Sequence, residues 1–128
     1  MTYDVAIIGA GPGGYVTAIR CAQYGLKTCI IEKSNVGGTC LNSGCIPTKT
    51  LIASAKKFEM LKTISDYGIF VDNYSIDFDS IMSRKNNVVA TLRNSVKYLL
   101  RKNGIDVING RAKLISPTDI SISGETST

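Results

Sequence analysis

Cys40 and Cys45 stand five residues apart within Gly37-Gly38-Thr39-Cys40-Leu41-Asn42-Ser43-Gly44-Cys45-Ile46-Pro47-Thr48-Lys49. Two thiols that close in sequence suit reversible electron exchange. In an unbroken helix, residues five apart have Cα atoms roughly 8–9 Å from each other, beyond the ~7 Å that a disulfide spans. A bridge between them therefore needs a break in the helix. Asn42, Ser43 and Gly44 are poor helix formers and can supply it. A helix from Thr48, with Pro47 near its first turn and Lys49 close by, would make a thiolate easier to hold. Two other uses stay open for the pair: inert core cysteines, or half of a zinc site. Zinc usually takes four Cys or His ligands. The chain has no histidine, and the remaining cysteines, Cys21 and Cys29, fall on a predicted helix and strand as core residues, so no metal site is expected.

The second chemical pattern is Gly9-Ala10-Gly11-Pro12-Gly13-Gly14, which fits G-x-G-x-x-G at Gly9, Gly11 and Gly14. Gly9 permits the tight strand-to-helix turn, and Gly11 lets a pyrophosphate approach the backbone. Gly14 lets the helix lie against the strand. The free N–H groups and positive dipole end of the following helix favour phosphate. Glu32 stands 18 positions after Gly14, at the end of the next apolar run. It is placed to accept hydrogen bonds from an adenosine ribose and to repel a 2′-phosphate, which argues against an NADP-type ligand. The cradle alone does not distinguish FAD from NAD. The competing reading is a glycine loop used only for packing.

These residues require a particular scaffold. Tyr3 to Ile8 reads as a short buried parallel strand. Tyr15 to Tyr24, with Val16, Ile19 and Ala22 at helical spacing, reads as a helix that Gly25 stops. Thr28 to Glu32 is a second strand, so the first 32 residues form a β-α-β unit. Ser34 to Gly44 begins as a loop. Leu51, Ala55, Phe58 and Leu61 mark one helix, and Ile81, Val88, Leu92, Val96 and Leu99 mark the apolar face of a longer one over about 79–102, roughly 36 Å in length. A short strand is expected at Ile69 to Val71, between turns. Ile105 to Ile108 reads as a further strand parallel to the first. Arg111 to Ile115 and Asp119 to Ile122 form strands joined through Ser116-Pro117-Thr118.

Composition narrows the classes. The 128 residues suit a single domain. At 44% hydrophobic and 20% charged, they can build a core, which excludes a disordered chain. The net charge of +5 comes from scattered Lys and Arg, so a nucleic-acid partner is not expected. No apolar run reaches the ~18 residues of a membrane span. Neither a signal peptide nor an Arg-rich transit peptide is recognisable, which points to the cytoplasm, with a mature protein of the mitochondrial matrix as the alternative. Without histidine this chain holds no Ser-His-Asp triad.

Taken together, the cradle, Glu32 and GGTCLNSGCIPTK resemble the N-terminal part of the pyridine nucleotide–disulfide oxidoreductases. The Leu41-Asn42 and Ile46-Pro47-Thr48-Lys49 wording is most similar to the dihydrolipoamide dehydrogenase branch, with glutathione and mercuric reductases as relatives. The resemblance runs from Tyr3 to about Ile122. It implies an α/β fold: a partial, truncated FAD-binding Rossmann-like domain of parallel strands with crossover helices, plus part of a small antiparallel meander. Residues 1–128 would be the N-terminal part of the FAD-binding domain, with the NAD-binding and dimer-interface domains outside it.

By the same resemblance, Gly9, Ala10, Gly11, Pro12, Gly13 and Gly14 would hold the FAD pyrophosphate. Glu32 would bind the ribose, and Lys33, Gly38, Thr39 and Cys40 would line the cofactor. Cys40 and Cys45 would be the redox disulfide, Cys40 meeting the substrate and Cys45 facing the flavin. Lys49 would steady the flavin, and Ala112 would touch the adenine. The implied reaction oxidises dihydrolipoamide with NAD as acceptor, in a homodimer serving the lipoyl-bearing protein of a 2-oxo-acid dehydrogenase complex. The family's catalytic His-Glu pair comes from the interface domain, so the chain alone is expected to be inactive. Alternatives are a non-enzymatic truncated product, a related glutathione- or mercuric-reductase-type flavoprotein segment, a simple NAD-dependent dehydrogenase and a thiol–disulfide exchanger without flavin. The cysteine pair speaks against the dehydrogenase, and the glycine cradle against the exchanger.

Overall fold

A computed structural model describes residues 1–124. Its first unit is β1 (Val5–Ile8), α1 (Pro12–Gln23) and β2 (Thr28–Glu32). The strands pair in parallel, with Val5 opposite Thr28 and Ile8 opposite Ile31. After the next three helices, β3 (Asp106–Asn109) adds to the other side of β2, again parallel, so β2 is the middle strand. Its five residues are all buried, as expected of a Val/Ile-type strand covered on both faces. Gly14 allows the layer spacing: a Cβ there would lie 1.8 Å from the Gly9 carbonyl oxygen. The helix can therefore sit directly on the strand-to-helix turn only with glycine at that position.

Between β2 and β3 lie α2 (Gly38–Asn42), α3 (Cys45–Met60), a 3-10 turn (Ile64–Tyr67) and the 25-residue α4 (Phe78–Lys102). Asp77 caps α4 by accepting from the Ser80 amide at 3.1 Å, which satisfies one of the helix's unpaired N–H groups. A separate antiparallel pair, β4 (Arg111–Leu114) and β5 (Ile120–Ser123), follows β3. The core gathers Ala18 of α1, Ile30 of β2, Leu41 of α2 and Val89, Val96 and Leu100 of α4. Among the described residues no helix is long and apolar enough to cross a membrane.

Several local expectations need correction. As an edge strand, β1 is not buried: Val5 and Ile7 are half-buried, and Ala6 and Ile8 are exposed. Helix α1 starts at Pro12, before Tyr15, because proline suits the first helical turn, and Gly38–Asn42 is a short helix inside the expected loop. Ile69 to Val71 is not a strand, and the segment from Ile69 to Asp77 is irregular and exposed. No neighbouring strand is there to pair its backbone, and β-propensity alone does not make a strand. Helix α3 starts at Cys45, three residues earlier than Thr48. The buried stripe of α4 runs through Val89, Val96 and Leu100, while Leu92 and Leu99 are exposed. Val96, expected on the apolar face, is buried; the buried face turns from Val88, Leu92 and Leu99 toward Val89 and Leu100, by less than the ~100° of one residue, as the tertiary partners dictate. Val16 of α1 is likewise exposed, and Ala18 is the buried residue of that helix. A small side chain suits the close approach that Gly14 sets up.

Candidate redox and dinucleotide site

The glycine turn, Glu32 and the cysteine segment are joined through one residue. Ala10 is fully buried. Its amide donates to Oε2 of Glu32 at 2.8 Å, and its carbonyl accepts from the Gly37 amide at 2.7 Å. The other Glu32 oxygen accepts from the Ser34 amide at 2.9 Å. One carboxylate thus fixes both the turn after β1 and the turn after β2. A second tie is steric: a Cβ on Gly38, whose φ is +60°, would lie 2.7 Å from the Cα of Gly11. Glycine at position 38 lets the start of α2 come into backbone contact with the cradle.

The cradle fits a dinucleotide. Among the described residues, the amides of Gly11, Gly13 and Gly14 make no hydrogen bond. They sit at the start of the 12-residue α1, where Pro12 costs no donor. A Cβ at Gly13 would meet nothing within 4 Å, so the space outside the turn is open. A carboxylate has about four lone-pair sites; Glu32 uses two on Ala10 and Ser34, which leaves acceptors for ribose hydroxyls. A cleft of about 440 Å³ opens beside it, lined by Glu32, Lys33 and Ser34 on one side and by Asn109, Gly110 and Arg111 on the other. Sequence reasoning singled out Ala112 on this side. The structure half-buries Ala112, pairs it with Ile122 and lines the cleft with its neighbours Gly110 and Arg111.

Cys40 and Cys45 form a disulfide with a Cα–Cα separation of 4.7 Å. The helix break that this requires falls at Ser43 and Gly44. Helix α2 ends at Asn42, Ser43 leaves helical backbone, and α3 begins at Cys45. Gly44 permits the close approach: a Cβ there would lie 3.1 Å from the Thr39 carbonyl and 3.4 Å from the Cα of Cys40. Cys45 is the first residue of a 16-residue helix and is exposed; Cys40 is half-exposed. The unpaired N–H groups and dipole of such a helix end favour negative charge, the form a released sulfur takes as thiolate. Lys49, one turn further along α3, is exposed. Thr39 is also exposed, and Lys33 lies at the mouth of the cleft.

Arg93 carries no sequence signal, and Asn42 enters from the sequence only as a poor helix former within the cysteine motif. Asn42 Nδ2 donates to the carbonyls of Asn35, Val36 and Gly38 at 3.3, 3.1 and 2.9 Å. Its Oδ1 accepts from Nε of Arg93 at 2.8 Å, across 51 residues of sequence. The other two cysteines stay apart from the disulfide: Cys21 is half-buried on α1, and Cys29 is buried on β2. Burial, and next the Asp106 carboxylate, push the Cys29 thiol above its ordinary value. No cluster of three or more Cys, Asp or Glu suited to a metal ion occurs among the described residues.

A parallel β-α-β unit with a glycine cradle, tied to a disulfide at a helix start, defines a dinucleotide-linked disulfide oxidoreductase architecture. The chain belongs to the pyridine nucleotide-disulphide oxidoreductase family, whose profile matches residues 3–128. It is 48% identical over 124 residues to the dihydrolipoyl dehydrogenase of Chlamydia muridarum, covering 97% of this chain and 27% of that protein. It is also 48% identical over 124 residues to the dihydrolipoyl dehydrogenase of Acholeplasma laidlawii, covering 96% of this chain and 37% of that one. A solved structure, the Cu(II) complex of the HOCl-induced flavoprotein disulfide reductase RclA from Escherichia coli, superposes with a TM-score of 0.79 at 35% identity. That match covers 97% of this chain and 25% of RclA. The chain thus spans between 25% and 37% of the length of these relatives. Within the family it is similar to proteins named dihydrolipoyl dehydrogenase, and the flavoprotein family implies FAD as the cofactor.

Proposed function

We propose that this chain is the FAD-cradling, disulfide-bearing part of an enzyme that oxidises dihydrolipoamide with NAD⁺ in a 2-oxo-acid dehydrogenase complex. The observation that carries this reading is the direct linkage of cradle and disulfide. Ala10 bonds to Gly37, Gly11 packs on Gly38, and Cys40 follows two residues later. Residues 1–128 are assigned to the N-terminal part of the FAD-binding domain, with the NAD-binding and dimer-interface domains outside them. The assembly is a homodimer, its partner a lipoyl-bearing protein, and its compartment the cytoplasm or the mitochondrial matrix. Relatives named dihydrolipoyl dehydrogenase support the substrate assignment.

In this reading the amides of Gly11, Gly13 and Gly14 bind the pyrophosphate, with Ala10 and Pro12 holding their spacing. Glu32 accepts from the ribose, and Lys33, Gly38, Thr39 and Ala112 border the cofactor. A substrate thiolate attacks Cys40 Sγ, and the Cys40–Cys45 bond breaks with the electron pair left on Cys45. The helix start then holds Cys45 as the thiolate, and Lys49 supplies positive charge nearby. The second substrate thiol, as thiolate, attacks the mixed disulfide, releasing the cyclic lipoyl disulfide and leaving Cys40 reduced. FAD supplies, when bound, the two-electron transfer from this dithiol to NAD⁺.

Titration of FAD into the purified chain tests the cradle. Quenching of flavin fluorescence that a Gly11→Val variant loses is the expected result. Stopped-flow mixing with dihydrolipoamide, followed by alkylation, tests the disulfide: Cys40 and Cys45 should become labelled as lipoamide appears. A chain that binds no flavin and leaves both cysteines unlabelled overturns the reading.

A further inference from the structure

We infer that Asn42 and Arg93 are positioning residues that set the stability of the Cys40–Cys45 disulfide. This inference rests on the redox reading above for its biological use, but its chemistry concerns only the two sulfurs. Asn42 lies between the cysteines, as the last residue of α2. Both ends of its amide group are bonded. The NH₂ end gathers three carbonyls of one short stretch of backbone, at Asn35, Val36 and Gly38, and the carbonyl end accepts from Arg93. The loop that carries Cys40 is thereby closed on itself and then fastened to the middle of α4. Helix α3, which carries Cys45, packs on the same α4, and Arg84 Nη1 reaches back from α4 to the Thr50 carbonyl of α3 at 3.4 Å.

Helix α4 is thus a common strut for both halves of the disulfide. With both halves fastened to one rigid element, the two thiols of the reduced state remain near each other. Ring closure then costs less chain entropy than in a free loop. The cation at Arg93 also polarises the Asn42 carbonyl, which strengthens donation from its NH₂ end. Removing either residue loosens Cys40 relative to Cys45 and lowers their effective concentration. The disulfide becomes easier to reduce, and its potential moves to less negative values.

The test is equilibration of the full chain in glutathione buffers of graded composition. One disulfide and two glutathione thiols exchange there for one dithiol and one oxidised glutathione. Acid quench, alkylation and peptide mass spectrometry then read Cys40 and Cys45 separately from Cys21 and Cys29. Asn42→Ala should lower the equilibrium constant for disulfide formation about tenfold, equal to about 30 mV for a two-electron couple. Arg93→Met should lower it about threefold, and Arg93→Lys should restore part of the loss. Arg101→Met, exposed near the end of the same helix, is the control and should match the parent. Circular dichroism checks that each variant folds; if Asn42→Ala does not, the Arg93 pair decides. Folded Asn42 and Arg93 variants within twofold of the parent overturn the inference. A parent chain whose Cys40–Cys45 bond never forms in oxidised glutathione sinks the redox reading itself, a different outcome.

Discussion

The Glu32 carboxylate holds the Ala10 amide at 2.8 Å while its second oxygen holds the Ser34 amide at 2.9 Å. A residue first read as a ribose ligand is also the clasp between the turns that follow β1 and β2. Glu32→Ala should therefore do two things at once. It leaves the buried Ala10 amide without its partner, which costs about 1–3 kcal/mol. It should also weaken FAD binding by more than tenfold. Urea unfolding and flavin titration measure the two losses, and a variant that loses affinity with no loss of stability would show that the clasp is idle.

Gly14→Ala should be among the more damaging single-methyl changes in the molecule. The added carbon would sit 1.8 Å from the Gly9 carbonyl oxygen, which is backbone and cannot rotate away. Helix α1 must then lift off the sheet, at an overpacking cost of about 1–3 kcal/mol or more. The same substitution at Gly13, where nothing lies within 4 Å, should leave stability nearly unchanged. Paired denaturant melts of the two variants make the comparison.

Cys21 and Cys29 should differ widely in reactivity. Cys29 is 2% exposed, and both its burial and the Asp106 carboxylate raise its thiol above the ordinary value. Only the thiolate alkylates. Iodoacetamide at neutral pH should therefore label Cys21 at least tenfold faster, with Cys29 modified only at alkaline pH or on unfolding. Peptide mapping over a time course shows the order of labelling.

Acid should weaken α4 at its first turn. Hydrogen bonds from the Ser80 side chain and then the Ser80 amide hold Asp77 below its ordinary value of 3.8. A depressed carboxylate contributes stability above the unfolded value, and that contribution fades as pH falls through the folded one. Stability measured from pH 6 down to pH 2 should thus fall less steeply in Asp77→Asn than in the parent below pH 3.8. Asparagine keeps an acceptor for the cap and has no carboxylate to titrate. Identical pH profiles would refute the assignment.

The glycine turn, the position of Glu32 and the helix break between the cysteines were legible in sequence because each is local. Gly9, Gly11 and Gly14 act through the backbone of one turn, and Glu32 ends the very next strand. The Cys40–Cys45 bridge closes over four intervening residues, of which Asn42, Ser43 and Gly44 disfavour a continuous helix. Short-range chemistry of this kind is written in residue order. The same locality explains the errors. Ile69 to Val71 has strand-forming side chains, but a strand exists only where a neighbour offers hydrogen bonds, and no spacing rule reveals that neighbour. On α4, Leu92 and Leu99 fit a helical stripe as well as Val89 and Leu100 do. Only packing against α1, α2 and α3 selects which stripe is buried.

Sequence alone, then, determined the β-α-β unit, its phosphate-ready turn and the cysteine pair, because glycine sterics and helix-breaking residues act on their immediate neighbours. Tertiary structure alone decided that Ala10 would be the joint between cradle and cysteine loop, and that Arg93 would reach Asn42 from 51 residues away. Those contacts depend on how α4 lies across the sheet, which follows from the burial of many side chains together and from no single stretch of residues.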